Sequence, residues 1–162
     1  MRYSGIIFND MTAAPGLCVT FFSQGCPHRC IGCHNPESWD FQGGKEFTID
    51  TLNSIIEGLQ AQDLARSLCI MGGEPLCPEN AFLTYFLISQ VKSALPYTPI
   101  YIWTGYTLDD LLKHKHPRIM QILKLCDYLI DGPYIAELRD ITLPMRGSSN
   151  QRIINMKDID LT

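Results

Sequence analysis

The sequence predicts an α/β fold, a mostly parallel sheet curled into a partial (β/α) barrel that stays open at one side. Three observations predict it. Short runs rich in β-branched and aromatic residues alternate with segments of helical periodicity, the pattern of βαβ units. Glycine- and proline-bearing turns follow those runs, where α/β sheets collect their chemistry. The chain has 162 residues, well short of the roughly 250 that a closed eight-stranded barrel takes.

LCVTFF at 17–22 is the first of these strands and leads straight into a cysteine loop. Leu52, Ile55, Ile56 and Leu59 then recur at i, i+3, i+4 and i+7, one face of a helix. SLCIM at 67–71 is the second strand and ends in Gly-Gly-Glu-Pro. A helical pattern runs from Pro78, which suits a first helical turn, to about Leu95. PIYIWTG at 99–105 is the third strand. Leu108, Leu111 and Leu112 start another helix, Pro117 breaks it, and Ile119, Ile122 and Leu123 resume it. CDYLIDG at 126–132 is the fourth strand, and QRIIN at 151–155 is a last one after a loop rich in Pro, Gly and Ser. The cysteine loop, Gly-Gly-Glu-Pro, Trp-Thr-Gly-Tyr and Asp-Gly-Pro-Tyr would then share one rim, past the strands' carboxyl ends.

Composition narrows the class. A net charge of −4 leaves no broad basic field, so neither nucleic acid nor an anionic membrane is an expected partner. MRYSGIIFND lacks the features of a signal peptide, and no run approaches the roughly 20 apolar residues of a membrane span. A single cytoplasmic domain over residues 1–162 is the expectation. The seven cysteines are an odd number, and in a reducing compartment clustered cysteines are ligands more often than disulfides. Cys26, Cys30 and Cys33 form the cluster. Cys18, Cys69, Cys77 and Cys126 share no ligand-like spacing and read as core residues.

Thiolates are soft ligands for zinc, copper(I) or iron–sulfur clusters. Three from one loop can hold three irons of a cubane and leave the fourth iron open to a small molecule. A zinc site would need His28 or His34 as a fourth ligand, each awkwardly placed beside a ligating cysteine. A redox pair, Cys30-Ile-Gly-Cys33, would leave Cys26 unexplained. In Gly-Gly-Glu-Pro, Gly72 and Gly73 let a ligand lie against the backbone, and Glu74 offers a carboxylate to an ammonium. An amino acid ligand suits that pairing. Glu37, Asp40 and Glu79 read as solvated or capping carboxylates, and Asp131 as a turn residue. Trp39 serves either to shield the cysteine loop or as a plain core aromatic. Arg139, Arg146 and Arg152 surround a Gly-Ser-Ser-Asn loop, either as solvated surface or as a dock for a partner or a ligand carboxylate.

A Cys-x3-Cys-x2-Cys loop after one strand with Gly-Gly-Glu-Pro after the next resembles the radical S-adenosylmethionine enzymes. The stretches FNDMTAAPG, FFSQGCPHRCIGCHNPESW, MGGEPL, YIWTGYT, DGPY and RGSSNQRII resemble, over nearly the whole length, the branch that activates the anaerobic ribonucleoside-triphosphate reductase. The resemblance implies a partial, laterally open barrel of the radical SAM type. It implies a [4Fe–4S] cluster on Cys26, Cys30 and Cys33, with S-adenosylmethionine chelating the open iron. Gly72, Gly73 and Glu74 would line its methionine end, and Gly32, Cys33 and His34 would lie toward the adenosine. Many relatives carry an aromatic before the last cysteine; Gly32 stands there in this chain, and His34 is the flat surface at hand. Trp103, Thr104, Gly105 and Tyr106 would face the adenosine or pack in the core.

The implied reaction is reductive cleavage to a 5′-deoxyadenosyl radical that makes a glycyl radical on the reductase, fed by a low-potential donor of flavodoxin or ferredoxin type. An activase for another glycyl radical enzyme is one alternative, and a small radical SAM synthase another; the shortness of the chain weighs against both. A zinc-stabilised binding module is the alternative of a different class.

Overall fold

A computed structural model of the chain describes residues 1–162. Its elements run β1 (Arg2–Asp10), β2 (Leu17–Ser23), β3 (Lys45–Glu46), α1 (Ile49–Gln60), β4 (Arg66–Gly72) and α2 (Pro78–Ala94). Then follow β5 (Ile100–Trp103), α3 (Leu108–His114), α4 (Pro117–Leu125), β6 (Tyr128–Asp131) and β7 (Arg152–Asn155). One seven-stranded sheet takes the strands in the order β3-β1-β2-β4-β5-β6-β7. It has two edges, β3 and β7, and is not closed. No helix is long and apolar enough to cross a membrane.

The helices begin where local chemistry lets them. Thr48 caps α1 in a reciprocal capping box with Thr51, each hydroxyl accepting the other's backbone N–H. Pro78 opens α2 and Pro117 opens α4, both at positions whose N–H has no helical acceptor anyway. Thr107 caps α3, which ends on Lys115 in the left-handed conformation, so Pro117 starts a new helix rather than kinking an old one.

The expected mostly parallel sheet is parallel only in its middle. β2, β4, β5 and β6 pair in parallel, joined through α1, α2 and the α3–α4 pair. Both flanks are antiparallel: β1 on β2, β3 on β1, and β7 on β6. The six residues between β1 and β2 are too few for a crossover, which takes a dozen or more, so those strands reverse. Before β7 the chain uses its last long excursion, residues 132–151, to return over the carboxyl ends of the strands instead of crossing back in a helix.

Alternation along the strands sorts their two faces. Val19, Phe21, Leu68, Ile70, Ile100 and Ile102 point to the helices and form the main core. Between them, Cys18, Cys69, Tyr101 and Ile130 point the other way and meet Ala13 and Ala14 in a smaller cluster. Further along that second face, toward the carboxyl ends, Phe22, Met71 and Trp103 line a cavity.

Candidate functional site

The cavity holds about 620 Å³ and lies past the carboxyl ends of β2, β4, β5 and β6. All four loops expected on that rim contribute to it. Cys26, Cys30, Cys33, His34, Gly72, Gly73 and Glu74 line its wall. Gly32 lies just outside, where an added Cβ would stand 3.6 Å from both Tyr134 and Ala136.

The cysteine loop is anchored at its base. Gly25 N–H donates to Ser38 O (2.7 Å) and Cys26 N–H to Trp39 O (3.2 Å). Gly25 O accepts from Glu74 N–H (2.8 Å) and from Asn80 Nδ2 (3.0 Å), tying the loop to the Gly-Gly-Glu-Pro turn and to α2. Arg29 and Gly32 take left-handed conformations (φ 50° and 74°) that fold the chain between successive cysteines. All three thiols are free and half-buried. Burial pushes the Cys26 thiol up, while backbone N–H groups of His28 and Arg29 pull the other way by favouring its thiolate. Asn35 N–H points at Cys33 Sγ (3.4 Å), another donor suited to a thiolate.

Both histidines that could complete a zinc site are engaged elsewhere. His28 Nε2 sits on Glu74 Oε2 (2.8 Å), and His34 packs against Tyr134 with ring centroids 5.4 Å apart. Three soft donors on one loop and an adjoining cavity fit a cubane cluster.

Glu74 is 1% exposed and its carboxylate is fully engaged. Oε1 accepts from Leu76 N–H (2.9 Å) and the Thr104 hydroxyl (2.7 Å). Oε2 accepts from Gly105 N–H (2.7 Å) and His28. Thr104 and Gly105 are therefore joined to the Gly-Gly-Glu-Pro turn through one side chain. At Gly73 a Cβ would come 2.6 Å from Gly25 O and 2.8 Å from Ser23 O, so only glycine fits that seam.

The other candidates divide. Trp103 Nε1 donates to Met145 O (2.7 Å), fastening the returning 132–151 segment over the cavity. Trp39 lines the cavity and its buried Nε1 has no partner. Asp131 is no turn residue: it is fully buried and held by Arg152 through both Nε (2.9 Å) and Nη2 (2.5 Å). Arg152 is thus a tie between β6 and β7, and its hydrogen bonds to Asp131 raise its already high pKa. Arg146 lines the cavity with a buried, unpartnered Nε, and Arg139 is exposed to solvent. Cys18, Cys69, Cys77 and Cys126 are core residues; burial pushes the Cys77 thiol up to about 12, and those of Cys69 and Cys126 up as well. Tyr134 was not singled out by sequence reasoning, yet it packs on His34 and beside Gly32 and Gly147. Its place in Asp-Gly-Pro-Tyr, past the fourth parallel strand, was the available signal.

A family model described as a 4Fe-4S single cluster domain matches residues 13–154. An anaerobic ribonucleoside-triphosphate reductase-activating protein of Salmonella typhi is 34% identical over 158 residues, covering 97% of this chain and 100% of the relative. The protein of the same name from Enterobacteria phage T4 is 35% identical, over 98% of this chain and 96% of its own. That of Haemophilus influenzae is 37% identical, over 97% and 99%.

Proposed function

The chain belongs to the family of anaerobic ribonucleoside-triphosphate reductase-activating proteins, and from that premise we propose that it makes a glycyl radical on such a reductase by cleaving S-adenosylmethionine. One observation carries the reading: three free thiols, the Gly72-Gly73-Glu74 turn and the His34–Tyr134 pair meet on one cavity. When bound there, a [4Fe–4S] cluster supplies the low-potential electron that breaks the bond from the sulfonium to C5′. Methionine leaves, and the 5′-deoxyadenosyl radical takes a hydrogen atom from the α-carbon of a glycine in the reductase.

The chain's own residues bind, orient and shield. Cys26, Cys30 and Cys33 would hold the cluster as thiolates, three ligands for its four irons. Gly72 and Gly73, without Cβ atoms, let the methionine end of the cosubstrate approach backbone groups, with Glu74 beneath as the local negative charge. His34 and Tyr134 offer flat surfaces to the adenine that Gly32 does not cover. Trp39 and the Trp103–Met145 clasp wall the cavity against water, which keeps the radical from side reactions. A sheet with two free edges reads as a partial (β/α) barrel whose open side admits a loop of a protein substrate. The setting is the cytoplasm, with a flavodoxin or ferredoxin as electron donor.

The test is anaerobic reconstitution with iron and sulfide, reduction, and addition of S-adenosylmethionine and the reductase. The reading predicts a reducible cluster whose EPR spectrum changes with S-adenosylmethionine, followed by a glycyl radical signal on the reductase. A colourless zinc protein overturns it. Ample 5′-deoxyadenosine without a radical on the reductase moves the target to another substrate.

A further inference from the structure

Glu74 accepts four hydrogen bonds, two on each oxygen, at 2.7–2.9 Å. A carboxylate has about four acceptor positions, so a ligand's ammonium finds none free. Three of the four donors belong to the turn that carries Glu74 or to the end of β5. The fourth, His28, comes from the cysteine loop, between Cys26 and Cys30.

His28 sits in a seat shaped for it. Its ring lies edge-on to Tyr106, with centroids 4.5 Å apart. On another side is Gly105, where an added Cβ would come 2.6 Å from the imidazole. Gly105 needs no left-handed φ, so the room left for His28 is what its missing side chain provides. The seat also holds the loop at a point that the backbone anchors at Gly25 and Cys26 do not reach.

We propose that His28 is a positioning residue for the cluster: its imidazole, seated between Glu74, Gly105 and Tyr106, fixes where the Cys26 and Cys30 thiols stand. Glu74 serves the site through that seat, and the amino group of the cosubstrate meets backbone groups of the turn. This rests on the reading of the three thiols as cluster ligands. It makes the cysteine loop preorganised through a side-chain bridge, the role that supporting hydrogen bonds play around metal ligands generally.

The test compares reconstituted wild-type protein with His28→Ala, Gly105→Ala and His28→Gln. Gly105→Ala leaves the thiols alone, keeps the backbone N–H that donates to Glu74, and fills the seat with a Cβ. The rate of iron release to a ferrous chelator is expected to rise about tenfold in His28→Ala and Gly105→Ala, the low end for losing a supporting contact to a metal ligand. Both should broaden the EPR spectrum of the reduced cluster. His28→Gln, whose amide can still donate to Glu74, should restore most of the retention. Wild-type release rates and spectra in both Gly105→Ala and His28→Ala overturn the proposal.

A second arm measures the binding of S-adenosylmethionine and of its deaminated analogue to Glu74→Gln. Equal weakening of both is expected; loss confined to the amino-bearing ligand makes Glu74 a direct contact and overturns it. Failure of the wild-type protein itself to take up a [4Fe–4S] cluster falls instead on the functional reading beneath.

Discussion

Two buried carboxylates, Glu74 and Asp131, occupy similar places at the carboxyl ends of parallel strands and do different work. Each is about 1% exposed or less. Asp131 ends β6 and meets a guanidinium from the neighbouring strand, with Leu108 N–H as its remaining donor (2.7 Å). Its charge is answered inside the fold by a permanent cation, which also reaches Asp109 at the start of α3. Glu74 has no Arg or Lys partner. Two backbone N–H groups, one hydroxyl and an imidazole answer it, drawn from three separate loops. An acid paired with a fixed cation ties elements of a fold together. An acid answered by donors from the loops themselves arranges those loops around a site.

Changes on the site side should abolish chemistry without unfolding the chain, and changes on the fold side should do the reverse. The largest effect belongs to Cys30→Ser, which removes one of the three proposed cluster ligands from a half-buried loop. Cleavage of S-adenosylmethionine should vanish while circular dichroism keeps its native shape, and any sizeable 5′-deoxyadenosine yield would break the assignment. Next comes Arg152→Ala. It leaves Asp131 buried with a single N–H donor, and should cost about 3–5 kcal/mol of stability in urea unfolding. Iron bound per folded molecule should stay at the wild-type level. Glu74→Gln should cost less, about 1–3 kcal/mol, because no Arg or Lys is among its partners and an amide accepts from some of them. Its signature is faster iron loss, which Arg152→Ala must not share if the two acids are distinct in kind. The smallest effect is expected of Cys69→Ala, about 1 kcal/mol with unchanged iron content; a drop in iron would enlist the buried cysteines in the site.

Much of this division could be read from the chain, and the unread part has a common cause. The parallel strands β2, β4, β5 and β6 and the four helices announce themselves because the strands are short apolar runs buried on both faces and the helices each bury an apolar set. β1 does not: RYSGIIFND is half to fully exposed over most of its length and shows no clean alternation. β3 is two exposed residues. Strand direction on the flanks is decided by connection geometry, which no local pattern records. In the site, Cys26, Cys30, Cys33 and the glycine turn are legible because close spacing in sequence is their chemistry. The His28–Glu74 and Arg152–Asp131 pairings span 46 and 21 residues, and nothing near either partner names the other. Asp131 looked like a turn residue because its own neighbours, Gly132 and Pro133, are turn formers.

The returning segment has a consequence for how the molecule is made. The thiols are synthesised early, and the residues that wall them in come last: Tyr134 beside His34 and Gly32, and Met145 clasped to Trp103. β7, whose Arg152 answers the buried Asp131, is later still. A chain emerging from the ribosome therefore carries Cys26, Cys30 and Cys33 before the residues that roof them have been made. Iron delivered before residues 132–151 fold back would meet thiols without a roof, so the order of synthesis favours loading after that segment is in place.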